Sequence, residues 1–337
     1  MNRLLHCTLV GLITCGLLGM VVSLAAADVW TEKAGMGADR AGLSTYVLEG
    51  KIYAIGGRGA DDGMVSRMEE YDPGTNKWTD KSLMPKARWG LATHVIDGQV
   101  YAIGGYRAAW VAIYTIVQVY DPVANKWTTK ADMPTPRYSF ASVILDGKIY
   151  AIGGITTGDV PTSEVEEYDP VTDTWTARDG LLTEKYGLAG GVLNGRIYAI
   201  GGHDGNTAVP TVEEYNPATD KWRKKADMPT ARYGLAVSVV NNTIHAMGGM
   251  DVGNMPLAMA EEYEPTKDIW IERKPMPTAR GRLSTSIVDG RIYAIGGNGA
   301  ADVPLSAVEE YTPEGWQFSV SLQDKLTTKW GEIKQSW

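Results

Sequence analysis

Short runs of alternating apolar and polar residues dominate this chain, each stopped by glycine or by an Asp-Gly or Asn-Gly pair. One such stretch, Leu283 to Val288, is followed by the turn Asp289-Gly290, then by Ile292-Tyr293-Ala294-Ile295 ending on Gly296-Gly297. A period of two along a short run marks a strand, and glycine after Asp or Asn admits the positive φ of a tight hairpin. After a loop comes a strand that ends in Tyr and usually Pro, as in Val165-Glu166-Glu167-Tyr168-Asp169-Pro170. A last short strand carries tryptophan: Trp78, Trp127, Trp175, Trp222 and Trp270. The unit reads as four antiparallel strands joined by hairpins.

That unit occurs six times. Gly-Gly pairs begin at positions 56, 104, 153, 201, 248 and 296, with steps of 48, 49, 48, 47 and 48 residues. Each unit opens on a basic residue: Arg40, Arg88, Arg137, Lys185, Arg232 or Arg280. Self-similarity at this period names one supersecondary unit used repeatedly. The segment from Val29 to Met36 matches Lys126 to Met133, so it is a last strand without its own blade. It is predicted to complete the sixth unit and close a ring, which removes the free sheet edge. The run from Trp316 to Leu322 also alternates and competes for that slot, with a poorer match.

Gly-Gly at a strand end, Tyr about 14 residues later and Trp about 7 beyond that resemble the kelch repeat, over roughly residues 29–316. The resemblance implies an all-β fold: a six-bladed kelch β-propeller with four antiparallel strands per blade around a central channel. A closed ring of this size is one domain, placed at residues 28–314.

The ends differ in composition. Residues 1–27 place Arg3 before a long apolar stretch that finishes in Ala25-Ala26-Ala27. This reads as a secretory signal cleaved after Ala27, with a secreted or periplasmic product and no stable membrane insertion afterwards. An uncleaved anchor is the rival reading. Both cysteines, Cys7 and Cys15, lie in the segment, so the mature chain has no thiol chemistry. Without Arg3 the chain holds 31 basic and 40 acidic residues, a net charge of −9, which argues against nucleic acid and anionic membranes as partners. The tail, 315–337, spaces Leu326, Trp330, Ile333 and Trp337 along one helical face. It reads as a cap on the propeller or a docking segment.

Most aromatic residues occupy repeat positions, and the remainder is more telling. Trp89, Tyr138, Tyr186 and Tyr233 each follow a unit-opening basic residue, and Tyr106 follows a Gly-Gly pair. The kelch resemblance implies that these two positions line one mouth of the channel. Arg58, Trp89, Tyr106, Tyr138, Tyr186, His203, Tyr233 and Asn298 are therefore the candidate ligand-binding residues. A concave site with aromatic walls and a few polar groups is the ordinary form of a ligand site. The alternative is that these side chains simply plug the channel. The second-unit loop from Tyr106 through Trp110 to Tyr114 is a further candidate for partner contact.

The basic ring invites a structural reading. An acid, or Gln118 in one case, stands 19 positions before each basic residue: Glu69 before Arg88, Gln118 before Arg137, Glu166 before Lys185, Glu213 before Arg232 and Glu261 before Arg280. Closure would bring Glu309 to Arg40. The constant offset predicts a repeated inter-blade pair.

The fourth unit departs from the others, and Glu184, Lys185 and His203 are its candidates for acid, cation and base at the mouth. Two function classes follow from the resemblance. One is a monomeric binding module for a protein or glycan, without cofactor. The other is a cofactor-free sugar mutarotase of the N-acetylneuraminate epimerase type. Galactose oxidase chemistry, which needs a cysteine cross-linked to tyrosine and histidine copper ligands, is excluded by the absence of a mature cysteine. His94, His203 and His245 lack ligand spacing, so no metal is expected.

Overall fold

A computed structural model describes residues 28–107 and 112–314. The predicted signal segment at 1–27, Trp110 and the predicted tail at 315–337, with its competing Trp316 to Leu322 run, lie outside the described residues. Six four-stranded antiparallel sheets follow one another around an axis. The first holds Ser44–Leu48, Lys51–Ile55, Met68–Asp72 and Lys77–Asp80, from axis to rim. The innermost strands of the others are Ala92–Ile96, Ala141–Leu145, Ala189–Leu193, Ala236–Val240 and Ser284–Val288. Val29–Lys33 supplies the outermost strand of the sixth blade, pairing antiparallel with Val308–Thr312 in the register Trp30 opposite Tyr311. The N-terminal strand thus closes the ring.

Each second strand is sandwiched between neighbouring blades, which explains its nearly continuous apolar sequence. Ile197, Ala199 and Ile200 are fully buried, as are Ile292, Ala294 and Ile295. The core is therefore a chain of inter-blade clusters rather than one centre; Ile244 and Ala246 of blade five, for example, pack with Ile200 and Val212 of blade four.

The diglycine is the joint between blades. The second glycine donates its amide to the basic residue that opens the next unit, as Gly57 N to Arg88 O at 3.0 Å and Gly297 N to Arg40 O at 2.9 Å. Both glycines have positive φ, and a Cβ on Gly153 would sit 2.6 Å from the Lys185 carbonyl oxygen. Only glycine meets both conditions. At the rim a second joint recurs: Trp175 donates Nε1–H to Ala131 O at 3.0 Å, while Asp173 accepts from Ala131 N at 2.8 Å and from Tyr168 OH at 2.7 Å. Trp78 with Asn76, and Trp270 with Asp268, grip Ala34 and Ala226 in the same way.

Candidate binding site at the mouth

The unit-opening basic residues are wholly buried. Their partners differ from the expected ones. Each pairs within its own blade: Arg40 with Glu69 (2.6 Å), Arg137 with Glu166 (2.7 Å), Lys185 with Glu213 (3.0 Å), Arg232 with Glu261 (2.7 Å) and Arg280 with Glu309 (2.8 Å). Arg88 meets Gln118 Oε1 at 2.6 Å. In a repeat of 47 to 49 residues, an acid 19 positions before one basic residue also stands 28 to 30 positions after the preceding one, so periodicity alone leaves two partners open. The inter-blade link runs instead through the backbone carbonyl of the same basic residue, which accepts from the preceding diglycine.

Just inside the mouth, six residues form a closed circle of backbone hydrogen bonds. Gly42 N donates to Arg282 O (2.8 Å), Arg282 N to Gly234 O (2.6 Å), and Gly234 N to Gly187 O (2.6 Å). Gly187 N donates to Ser139 O (2.7 Å), Ser139 N to Gly90 O (3.0 Å), and Gly90 N to Gly42 O (2.8 Å). All six have φ between 51° and 62°. This left-handed conformation explains why four of the six are glycine. Below the circle, the innermost strands enclose a channel of about 430 Å³. Because these are edge strands, hydroxyl side chains help to satisfy their backbone: Thr45 donates to Thr285 O at 3.3 Å and Thr285 to Val237 O at 3.2 Å. His94 Nε2 lies 2.8 Å from Ser142 Oγ in this channel, and burial pushes the imidazole down to about 4, so it is neutral.

Above the circle, antiparallel bridges join Ala41 to Arg58, Trp89 to Tyr106, Tyr138 to Ile155, Tyr186 to His203, Tyr233 to Met250 and Gly281 to Asn298. The two sets of residues singled out in the sequence therefore meet. The rings fall into two groups. Trp89, Tyr106 and Tyr138 have centroids 5.0–6.2 Å apart. Tyr186, His203 and Tyr233 are 5.0–6.0 Å apart. Burial lowers the His203 pKa against the opposing charge of Asp204, and its Nδ1 accepts from Gly205 N at 3.1 Å.

The candidates do not share one role. Trp89, Tyr106, Tyr186, His203 and Arg58 keep part of their surface open. Tyr138, Tyr233 and Asn298 are buried. Tyr138 OH donates to Asp159 at 3.1 Å and Tyr233 OH to Asn254 at 2.6 Å, so these tyrosines tie down loop tips instead of presenting free faces. Asn298 is enclosed and donates Nδ2–H to Asp302. Glu184, Lys185 and His203 are not assembled as one acid–base group, because Lys185 is turned into its blade and held by Glu213 and Thr211.

Two further residues belong to the mouth. Asp302 receives Arg58 Nη2 at 2.6 Å and Arg282 Nη1 at 2.8 Å, linking blades one and six. The Arg282 guanidinium also lies 5.9 Å from the Trp89 ring, within cation–π range. The signal for Arg282 was present in the sequence: it is the one large residue among Gly42, Gly90, Ser139, Gly187 and Gly234. Among the described residues, no group of three His, Cys, Asp or Glu side chains is arranged to hold a metal.

Comparison with known proteins extends this picture. Residues 28–182 match the family model described as the KLHDC2/KLHL20/DRC7 Kelch-repeats domain, and residues 185–229 and 231–277 match the Kelch motif. A solved structure titled "Structure of YjhT" is similar to this chain with a TM-score of 0.71 at 16% identity, covering 83% of this chain and 96% of that one. At that identity the likeness is one of fold. No curated protein matches the chain.

Proposed function

The chain belongs to the kelch-repeat β-propeller family, and from that premise we propose that it is a non-catalytic binding module, acting outside the cytoplasm, whose mouth face receives a protein partner. One observation carries the choice of partner. The loops that crown the mouth present apolar side chains to solvent: Val160 (52% exposed), Val252 (68%), Met255 (56%) and Val303 (51%). They stand on the loops that follow Ile155, Met250 and Asn298, which are bridged in the same tier as Trp89–Tyr106 and Tyr186–His203. Apolar residues at a rim around aromatic anchors are the composition of a protein-binding surface. A glycan is the second reading, supported by the half-open rings of Tyr186 beside His203 and of Trp89 beside Arg282. The mutarotase alternative has less support, since Lys185 is committed to Glu213.

The test compares affinity capture from extracellular proteins, and binding to a glycan array, by four forms of the chain. These are the parent, Tyr186→Ala, Met255→Asp and Val171→Asp, the last altering an outer turn where Val171 is 91% exposed. A protein retained by the parent and Val171→Asp, and lost from the other two, supports the proposal. Array binding lost only with Tyr186→Ala transfers the site to a glycan. Equal capture by all four forms removes the mouth from consideration.

A further inference from the structure

Blade two breaks the buried-pair rule on both sides at once. In blades three, five and six, the threonine two residues before the arginine donates to the same acid: Thr135 to Glu166 (2.8 Å), Thr230 to Glu261 (2.8 Å) and Thr278 to Glu309 (2.6 Å). In blades one and four, a backbone amide takes that place, Gly37 N to Glu69 at 2.9 Å and Leu182 N to Glu213 at 2.6 Å. Blade two has Pro85, which lacks the amide, Lys86 in place of the threonine, and Gln118 in place of the acid. Relative to blades three, five and six, this exchange adds two positive charges. The fully buried Arg88 is left with the neutral Gln118 oxygen and the Ala102 and Lys86 carbonyls.

The unbalanced charge lies beside a cavity. A pocket of about 340 Å³ is lined by Lys86, Arg107, Tyr114, Ser66, Pro85 and Ala87. Two cations lie over the Tyr114 ring, Lys86 Nζ at 5.4 Å and Arg88 Cζ at 5.9 Å. Lys86 and Arg107 are exposed, and neither forms an ion pair among the described residues. The connecting segment from Tyr106 to Gln118 contains no acidic residue. No acid lines the pocket; Asp80, on the neighbouring blade, is held by Arg67 at 2.7 Å, and Asp132 accepts from Thr115 at 3.3 Å.

We infer that this pocket of blade two is an oxyanion-binding site, in which Lys86 and Arg107 hold a sulfate, phosphate or carboxylate group, Ser66 and Tyr114 offer hydroxyl donors, and Arg88 contributes positive potential from behind. Paired cations with neutral donors in a concave, partly dry setting form charge-assisted hydrogen bonds to oxyanions. In an acidic protein of net charge −8, such a local excess is also a selective feature. The inference is independent of the ligand taken by the mouth.

The test uses the full chain with sodium sulfate, phosphate or acetate as probes, against sodium chloride at matched ionic strength, read as melting temperature and by calorimetric titration. The reference is the double variant Lys86→Thr with Gln118→Glu, which installs what blades three, five and six already contain. The parent is expected to bind at least one oxyanion saturably, with the variant weaker by about tenfold or more; the preferred probe identifies the class of group. Arg107→Gln, which alters no buried contact, is expected to weaken the same binding and covers the case in which the double variant fails to fold. Parallel responses in parent and variants, or no saturable response in the parent, overturn the assignment.

Discussion

The amide of Gly42 donates to the carbonyl of Arg282 at 2.8 Å and so completes a circle of six hydrogen bonds that ties all six blades together beneath the mouth. The chain travels once around the axis to make that bond. The circle depends on left-handed backbone at every position, so side chains there carry a conformational cost of roughly 1–2 kcal/mol.

Gly187→Ala and Gly234→Ala are therefore expected to lower stability by about 1–2 kcal/mol each. The added Cβ at position 234 would also lie 3.2 Å from the Arg282 amide nitrogen and weaken the circle. Denaturant unfolding checks the size of the loss. An unchanged midpoint in both variants contradicts a load on the circle.

The buried pairs predict a second, larger effect. Arg40→Ala leaves the enclosed Glu69 with only the part-exposed Arg67, 3.3 Å away, as a cation, and the expected cost is about 3 kcal/mol, the lower end for a broken buried pair. Glu69→Gln should cost clearly less, because Arg88 and Gln118 show that the blade accepts an amide at this place. Equal losses in the two variants, measured by denaturant unfolding, would refute the comparison.

Acid should loosen the ring through a second set of carboxylates. Burial alone would raise the Glu70 and Glu167 carboxyls. Hydrogen bonds outweigh it, from Lys81, Tyr53 and Lys51 on Glu70 and from Arg178, Lys148 and Tyr150 on Glu167, and hold each at about 2. A carboxyl whose pKa is depressed on folding contributes stability above its unfolded value, here 4.5, and loses it as the pH falls through the folded value. Melting temperature is expected to drop between pH 4.5 and about 2, and Glu167→Gln should flatten part of that drop. A variant profile parallel to the parent's would assign acid sensitivity to other groups.

The sequence revealed the blades because each one repeats its punctuation. Gly-Gly marks where neighbouring backbones approach too closely for a Cβ, and that need is local to the motif. Closure was legible for the same reason, since Val29 to Met36 carries the motif of a last strand. The partner of each buried basic residue was not legible, because the same acids stand 19 residues before one such residue and 28 to 30 after another, and the more constant spacing is not the one that pairs. The mouth was legible only as a set of positions. Which tyrosines stay open depends on how their loops fold back, and Asp159 and Asn254 draw Tyr138 and Tyr233 inward through contacts 21 residues away. Arg282 departs from its small equivalents in size and charge, a signal that a search for aromatic departures passes over.

The most direct test of the mouth as the binding surface is site-specific photo-crosslinking. A photoreactive amino acid is placed at Tyr186 or Met255 on the mouth face, or at Val123 or Val171 on the outer turns, where exposure is 97% and 91%. The chain is then irradiated among the proteins of its host cells and of their medium. The account predicts that one partner is trapped from both mouth positions and from neither outer turn. Trapping of the same partner from the outer turns, with none from the mouth, would contradict it.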